Sequence, residues 1–332
     1  MKKGTVWAAL LTMAAGTWTA HRNKKYPIAD GFGMVNKVFV PECAASLPLI
    51  TANNRMRRMR KPVIPPEIRK SVLQIPGGSG QNMQLTVYEP ADHHDILPGM
   101  VYTHGGGFFF EESWYLHEIA AHYAKEARCK VVFVHYRTSD TDPFPAPFED
   151  CCAAISYVWE HAESLGIDKT RLAIGGDSAG AALAGCCTLW AREEAKIPFC
   201  FQLLIYPVID SRMQTESMRK YPDSPFWNSR LNKRMWEIYL RNGDFGKPYY
   251  ASPALADSFS NLPPAYIEVE EFDCLHDEGV NYAGYLRDAG VPVQLEDVKG
   301  TFHSYDMYTD HPIVKQMLQK RCDALRNALH NN

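Results

Sequence analysis

The chain has 332 residues and a formal net charge of -3, with 46% hydrophobic and 22% charged residues. That length and apolar share suit one large α/β core with an elaboration, and the charged share is that of an ordinary globular protein. No acidic or basic tail is present, and nothing in the overall charge points to nucleic acid, whose binders usually carry a concentrated positive face. Nine cysteines occur, with no C-x-x-C spacing and no Cys/His cluster, which argues against a metal. The adjacent pairs Cys151-Cys152 and Cys186-Cys187 lie in helix-like stretches. Neighbours on a helix point in different directions, so these pairs are poor disulfide candidates. Most of the cysteines read as small buried hydrophobes, and free thiols in this number favour a reducing, cytoplasmic location.

At the N-terminus, Lys2 and Lys3 precede an apolar stretch from Val6 to Trp18. This looks like a signal peptide, but no clean small-x-small cleavage site follows, and His21, Arg22, Lys24 and Lys25 come next. The favoured reading is a helix packed on the rest of the chain. A secretion signal, or a membrane contact through residues 5–20, is the less favoured alternative. Residues 1–70 do not alternate strand and helix and read as an N-terminal helical segment. They hold a basic cluster, Arg55, Arg57, Arg58, Arg60 and Lys61, ending at Pro62. It is expected to be a solvated helix face, with Met56 and Met59 at helical spacing facing the core or, less favoured, an anionic membrane.

From residue 71 the pattern changes. Ser71–Ile75 and Leu85–Tyr88 read as strands separated by the turn-rich Gly77-Gly78-Ser79-Gly80. Met100–Thr103 is a short apolar run that stops at glycines, and Val131–Tyr136 is typical of a strand buried on both faces. Phe148, Cys151, Cys152, Ile155, Val158, Trp159 and Ala162 follow helical spacing. Leu172–Ile174 is another strand, and Ala179–Arg192 a helix dense in small residues. Phe201–Tyr206, Ala265–Val269 and a segment beginning at Val293 are the remaining strands. Val314 to Ala328 is a closing helix, with Asp310 as its expected cap. This alternation predicts a mainly parallel central sheet with helices on both faces, spanning 71–209 and 251–332. It lapses across 210–250, an aromatic-rich stretch expected to form a helical cap over the carboxyl ends of the strands with the N-terminal segment.

The strongest chemical signal is Gly176-Asp177-Ser178-Ala179-Gly180, between a strand and a helix. That setting is what the G-x-S-x-G nucleophile elbow requires, because a sharp turn pushes the serine hydroxyl out at the sheet edge. Upstream, His104-Gly105-Gly106-Gly107 follows the strand Met100–Thr103. Glycines let the backbone approach a substrate and aim N–H groups at a developing oxyanion, and the amides of Gly105, Gly106 and Ala179 are the expected donors. His104, Gly107, Phe108 and Asp177 are expected beside the substrate. A serine hydroxyl needs a base, and the base an orienting acid, in the order Ser, Asp/Glu, His. Asp273 and His303 each follow a strand in that order, with Glu271 the chief competitor for the acid.

These blocks resemble the hormone-sensitive-lipase-like family of α/β-hydrolases, the bacterial carboxylesterases with an HGGG motif. Besides His104–Gly107 and Gly176–Gly180, Tyr136-Arg137 with Phe144–Asp150, and Glu271–Gly279, are similar to family blocks. The resemblance covers about residue 70 to the C-terminus. It departs at Cys274, where the family usually has proline, at Ser304, where it often has glycine, and at Thr138-Ser139-Asp140, where it has Leu-Ala-Pro. It implies the α/β-hydrolase fold, with Ser178, His303 and Asp273 as a triad and no metal or organic cofactor. The partner is a small-molecule ester, and a homodimer is compatible with the sequence. At least one ring of Phe108, Phe109 and Phe110 is expected to crowd the acyl side, favouring short acyl esters. The competing readings are an amidase or peptidase on the same fold, and a non-catalytic ligand-binding homologue such as the gibberellin receptor. The latter is expected to lack a triad member.

Overall fold

A computed structural model describes residues 26–33, 35, 38–93 and 95–331. Eight strands form one sheet: β1 (Ile68–Pro76), β2 (Asn82–Pro90), β3 (Leu97–Thr103), β4 (Lys130–His135), β5 (Ile167–Asp177), β6 (Phe201–Ile205), β7 (Ala265–Glu270) and β8 (Val293–Val298). Their order is β1-β2-β4-β3-β5-β6-β7-β8. β1 and β2 pair antiparallel, as do β2 and β4, and every pairing from β4 across to β8 is parallel. The mainly parallel sheet expected from the alternation is therefore present. β3, β5, β6 and β7 carry no exposed residue, as strands covered on both faces require, apart from the polar start of β5 at Lys169 and Thr170.

Eight α-helices accompany the sheet among the described residues: α1 (Leu47–Met59), α2 (Trp114–Glu126), α3 (Ala146–Glu160), α4 (Ala179–Trp190), α5 (Glu216–Lys220), α6 (Ser229–Tyr239), α7 (His276–Asp288) and α8 (Pro312–His330). α2 packs against α8, and α3 against α4. α4 is Ala- and Gly-rich and all but its last residue is buried, which lets it sit directly on β3, β5 and β6. The closing helix starts differently from expectation. His311, and not Asp310, occupies the cap position, where its Nδ1 accepts from the Ile313 amide at 3.2 Å. An imidazole nitrogen substitutes there for the usual carboxylate or hydroxyl.

Residues 210–250 hold α5 and α6, each capped by a side chain: Thr215 accepts from the Met218 amide, and Asn228 from that of Leu231. α6 buries Leu231, Met235, Trp236, Ile238 and Tyr239, a spacing that turns one face inward. The apolar stretch Val6–Trp18 lies outside the described residues. Among the described residues no helix is long and apolar enough to cross a membrane. All nine cysteines are free, so the adjacent pairs form no disulfide.

One buried ionic cluster ties the last helix to the sheet. Arg321 of α8 donates through Nε to Glu268 Oε2 of β7 at 3.0 Å and through Nη1 to Asp306 Oδ2 at 2.8 Å, and its Nη2 donates to Glu268 Oε1. Tyr305 donates to Glu268 at 2.8 Å and Tyr206 to Asp306 at 2.9 Å. All five side chains are at most 2% exposed. Removing the cation alone leaves two buried carboxylates uncompensated, which is far more costly than the intact cluster's net contribution. Arg321→Ala is therefore expected to lower unfolding stability by about 3–5 kcal/mol. Urea denaturation followed by fluorescence checks this, and a loss below about 1 kcal/mol would show that the cluster is not a strong anchor.

Candidate active site

Ser178 stands between β5 and α4 with φ 54° and ψ -121°. Few L-residues adopt that backbone, which costs about 1–3 kcal/mol and persists where the surroundings impose it. The surroundings here are close. The Ser178 amide donates to the Ile205 carbonyl at 2.8 Å. A side chain at Gly180 would put its Cβ 2.1 Å from the Thr103 carbonyl oxygen, and one at Gly176 would put it 2.5 Å from the same atom. The elbow thus fits against the end of β3 only because these two positions are bare.

The structure brings Ser178, His303 and Asp273 into one relay. Ser178 Oγ lies 2.9 Å from His303 Nε2, and His303 Nδ1 lies 2.6 Å from Asp273 Oδ2. Asp273 is fully buried, and its other oxygen accepts from the Leu275 amide at 3.0 Å. The neighbouring carboxylates are otherwise placed. Glu271 accepts from the Gly300 amide at 2.8 Å, Asp277 from that of Ser217 at 2.7 Å, and Glu278 from those of Ile209 and Asp210 at 3.1 Å. Neither Glu270 oxygen meets a donor among the described residues, and burial holds that carboxyl well above the usual range. His303 is held in turn by its neighbours. The Tyr206 ring lies 4.7 Å from it and the Trp227 ring 5.9 Å, and the next residues carry Tyr305 and Asp306 into the Arg321 cluster.

The glycine loop corrects one expectation. The Gly105 amide donates to Asp177 Oδ1 at 3.1 Å, so it is engaged inside the protein and is not a free oxyanion donor. The amides of Gly106, Gly107 and Ala179 meet no acceptor among the described residues. Gly106 and Gly107 line the cleft above Ser178. Asp177 also accepts from Tyr102 at 2.6 Å, and so ties the elbow to β3 and to the loop together. His104 does not touch the cleft. It is fully buried, stacked 4.2 Å from the Tyr136 ring, and its Nδ1–H donates to the Gly105 carbonyl at 2.8 Å. Burial lowers its pKa to about 4, leaving a neutral ring that shapes the turn. Phe108 is likewise buried, stacked 3.8 Å from Tyr239 of α6, because its φ of 60° turns it away from the opening. Phe110 is the member of the three phenylalanines that lines the cleft.

α1 completes the site and departs from expectation. Arg55, Arg58 and Met59 are solvent-exposed, but Met56, Arg57 and Arg60 line the cleft with Trp114, Tyr115, Phe226 and Trp227. The basic cluster is therefore only partly a solvated face. Asn54 holds α1 to the loop after the glycines, donating to the Phe109 carbonyl and accepting from the Glu111 amide, both at 3.0 Å. Such side-chain ties are not visible in an amphipathic pattern.

The sequence matches the alpha/beta hydrolase fold family over residues 100–307. It is 32% identical over 280 residues to esterase LipI of Mycobacterium tuberculosis, covering 83% of this chain and 87% of that protein. The chain belongs to the alpha/beta hydrolase fold family. Within that family it is of the hormone-sensitive-lipase-like esterase kind. Ethyl acetate hydrolase of Pseudomonas putida is 32% identical over 240 residues, covering 71% of this chain and 75% of that protein. The solved structure of a bacterial heroin esterase superposes with a TM-score of 0.80 at 32% identity, covering 86% of this chain and 93% of that one. Like these family members, the chain is a serine ester hydrolase.

Burial raises the Asp177 carboxyl to about 7, against hydrogen bonds from Tyr102 and Gly105 that favour its charged form. A carboxyl raised on folding contributes stability that is present below its unfolded value of about 4 and is lost as pH climbs toward the folded one. Asp177→Asn keeps an acceptor oxygen and removes the titration. Relative to Asp177→Asn, the wild type is expected to lose stability between pH 4 and about 7. Denaturant midpoints at several pH values check this, and parallel curves would refute it.

Proposed function

We propose that this ester hydrolase works through Ser178, His303 and Asp273 by way of an acyl-enzyme, and that it prefers short acyl chains. The relay from Ser178 Oγ to His303 Nε2 at 2.9 Å and from His303 Nδ1 to Asp273 Oδ2 at 2.6 Å is the observation that carries the reading. His303 accepts the serine proton as Oγ attacks the ester carbonyl. Asp273 holds the imidazole in the tautomer with its proton on Nδ1 and stabilises the charged ring. The oxyanion is received by the amides of Gly106, Gly107 and Ala179, since Gly105 is engaged with Asp177. His303 then protonates the departing alcohol, and water repeats the attack on the acyl-enzyme with His303 again as base. The N-terminal segment up to residue 70 and residues 210–250 act together as the cap, with Met56, Arg57, Phe226 and Trp227 of these stretches lining the cleft. The free cysteines suit a reducing, cytoplasmic setting. An intact relay supports this reading over a non-catalytic binding protein.

Ser178→Ala is expected to reduce ester turnover by about three orders of magnitude or more. A fluorophosphonate should label Ser178 alone, read by peptide mass spectrometry. Labelling of another serine with Ser178 untouched would falsify the assignment.

The acyl preference follows from the aromatic wall. The whole cleft over Ser178 holds about 90 Å³, and Phe110, Trp114, Tyr115 and Trp227 form its aromatic lining. Each methylene that finds room is worth about 0.8 kcal/mol, and the gain stops when the space is full. Beyond that, crowding displaces the carbonyl from the oxyanion donors, where small errors are costly. The similarity to ethyl acetate hydrolase points the same way. In a kcat/KM series from acetyl to palmitoyl esters below their aggregation limits, the optimum is expected between acetyl and roughly hexanoyl. A steady rise through the long chains would rule the short-acyl preference out.

A further inference from the structure

Arg57 shares the cleft with Ser178 and His303 and is rigidly held there. Its Nε donates to Asn53 Oδ1 at 2.7 Å, and its Nη1 to the Glu111 carbonyl at 2.9 Å and to Ser113 Oγ at 2.5 Å. The Phe110 ring covers the guanidinium, 4.7 Å from centroid to carbon. None of these partners is charged, and among the described residues no carboxylate oxygen lies within 4.0 Å of its nitrogens. The nearby acids are committed elsewhere: Glu111 pairs with Arg58, and Glu112 with His135 at 2.8 Å. Nη2 makes no hydrogen bond among the described residues.

The surrounding wall has the same polarity. Ser113 Oγ accepts from Arg57, which leaves its own proton to donate. Arg60, stacked 3.7 Å from the Trp114 ring, adds a second positive charge to the lining. Asp177 is the one carboxylate among the described lining residues, and it faces Tyr102 and the Gly105 amide. A half-buried guanidinium with no carboxylate in direct contact among the described residues, and with an N–H left over beside an available hydroxyl, is a costly arrangement for a protein to keep empty. It is complementary to an anion, which an arginine fork recognises well.

We propose that Arg57 is a specificity residue and that the preferred ester carries a carboxylate elsewhere in the molecule. The guanidinium Nη2 and the Ser113 hydroxyl receive that carboxylate while Ser178 meets the ester carbonyl. The substrate class is thus a compact half-ester of a dicarboxylic acid or an acyl ester of a hydroxy acid. This rests on the ester-hydrolase reading above.

Two matched pairs separate the two sources of the carboxylate. Mono-4-nitrophenyl glutarate against 4-nitrophenyl valerate tests the acyl side, and 3-acetoxybenzoate against 3-acetoxybenzamide tests the alcohol side. In at least one pair the wild type is expected to prefer the charged member by about tenfold or more in kcat/KM. Arg57→Gln should abolish that preference, with the loss falling mainly on the charged member, and Arg57→Lys should keep part of it. Arg55→Gln removes a charge from the exposed face of the same helix and should leave all four rates unchanged. Fluorophosphonate labelling of Ser178 reports that each variant is folded. Neutral members turned over as well or better in both pairs by the wild type would overturn the proposal, even if Arg57→Gln failed to fold. So would a preference that survives Arg57→Gln. Failure of all four esters with a folded wild type would overturn the ester reading along with it.

Discussion

The backbone of Ser178 is the constraint on which the site depends. At φ 54° it presents its hydroxyl where β5 ends and α4 begins, and the strain is carried by contacts on both sides. β6 accepts its amide hydrogen bond, and the end of β3 presses against Gly176 and Gly180 with no room for a methyl group. The same closeness fixes the distance between Ser178 and the glycine loop that continues from β3. The elbow and the glycine loop are therefore one packed unit, and Asp177 fastens them together through Tyr102 and Gly105.

Much of this was legible in the sequence, for identifiable reasons. The buried strands are β-branched or aromatic runs bounded by glycine, so Met100–Thr103 and Val131–Tyr136 fall inside β3 and β4. Ser178, Asp273 and His303 each follow a strand in an order the chain topology permits, and the structure brings them within hydrogen-bond reach. What escaped depends on side-chain direction. The motif alone does not reveal that Asp177 consumes the Gly105 amide, because that bond spans 72 residues and requires the two strand ends to be adjacent. Phe108 looked like a wall of the pocket, but a positive φ turns it onto Tyr239, a partner far away in sequence.

The basic run on α1 failed for a related reason. Charge periodicity identifies a polar face but not what that face meets. Arg55 is exposed and Arg58 pairs with Glu111 at the surface, whereas Arg57, between them on the same helix, lies against Phe110 and Ser113 at the rim of the cleft. A solvated-face reading rests on the cost of burying a cation, and that cost falls when neutral hydrogen bonds and an aromatic face surround the guanidinium.

The Arg321 cluster has a consequence for how the protein is made. Ser178 lies midway along the chain, and every strand but β7 and β8 is complete before residue 206. The loop bearing His303 is tethered through Tyr305 and Asp306 to an arginine that leaves the ribosome later, on the final helix. Synthesis proceeds from the N-terminus, and a domain generally folds as a unit. Until that helix has emerged, the cation that pairs with Glu268 and Asp306 is missing from the core. The piece that closes the core around the histidine loop is therefore encoded at the far end of the chain, and the loop's buried carboxylate has no cationic partner until α8 docks.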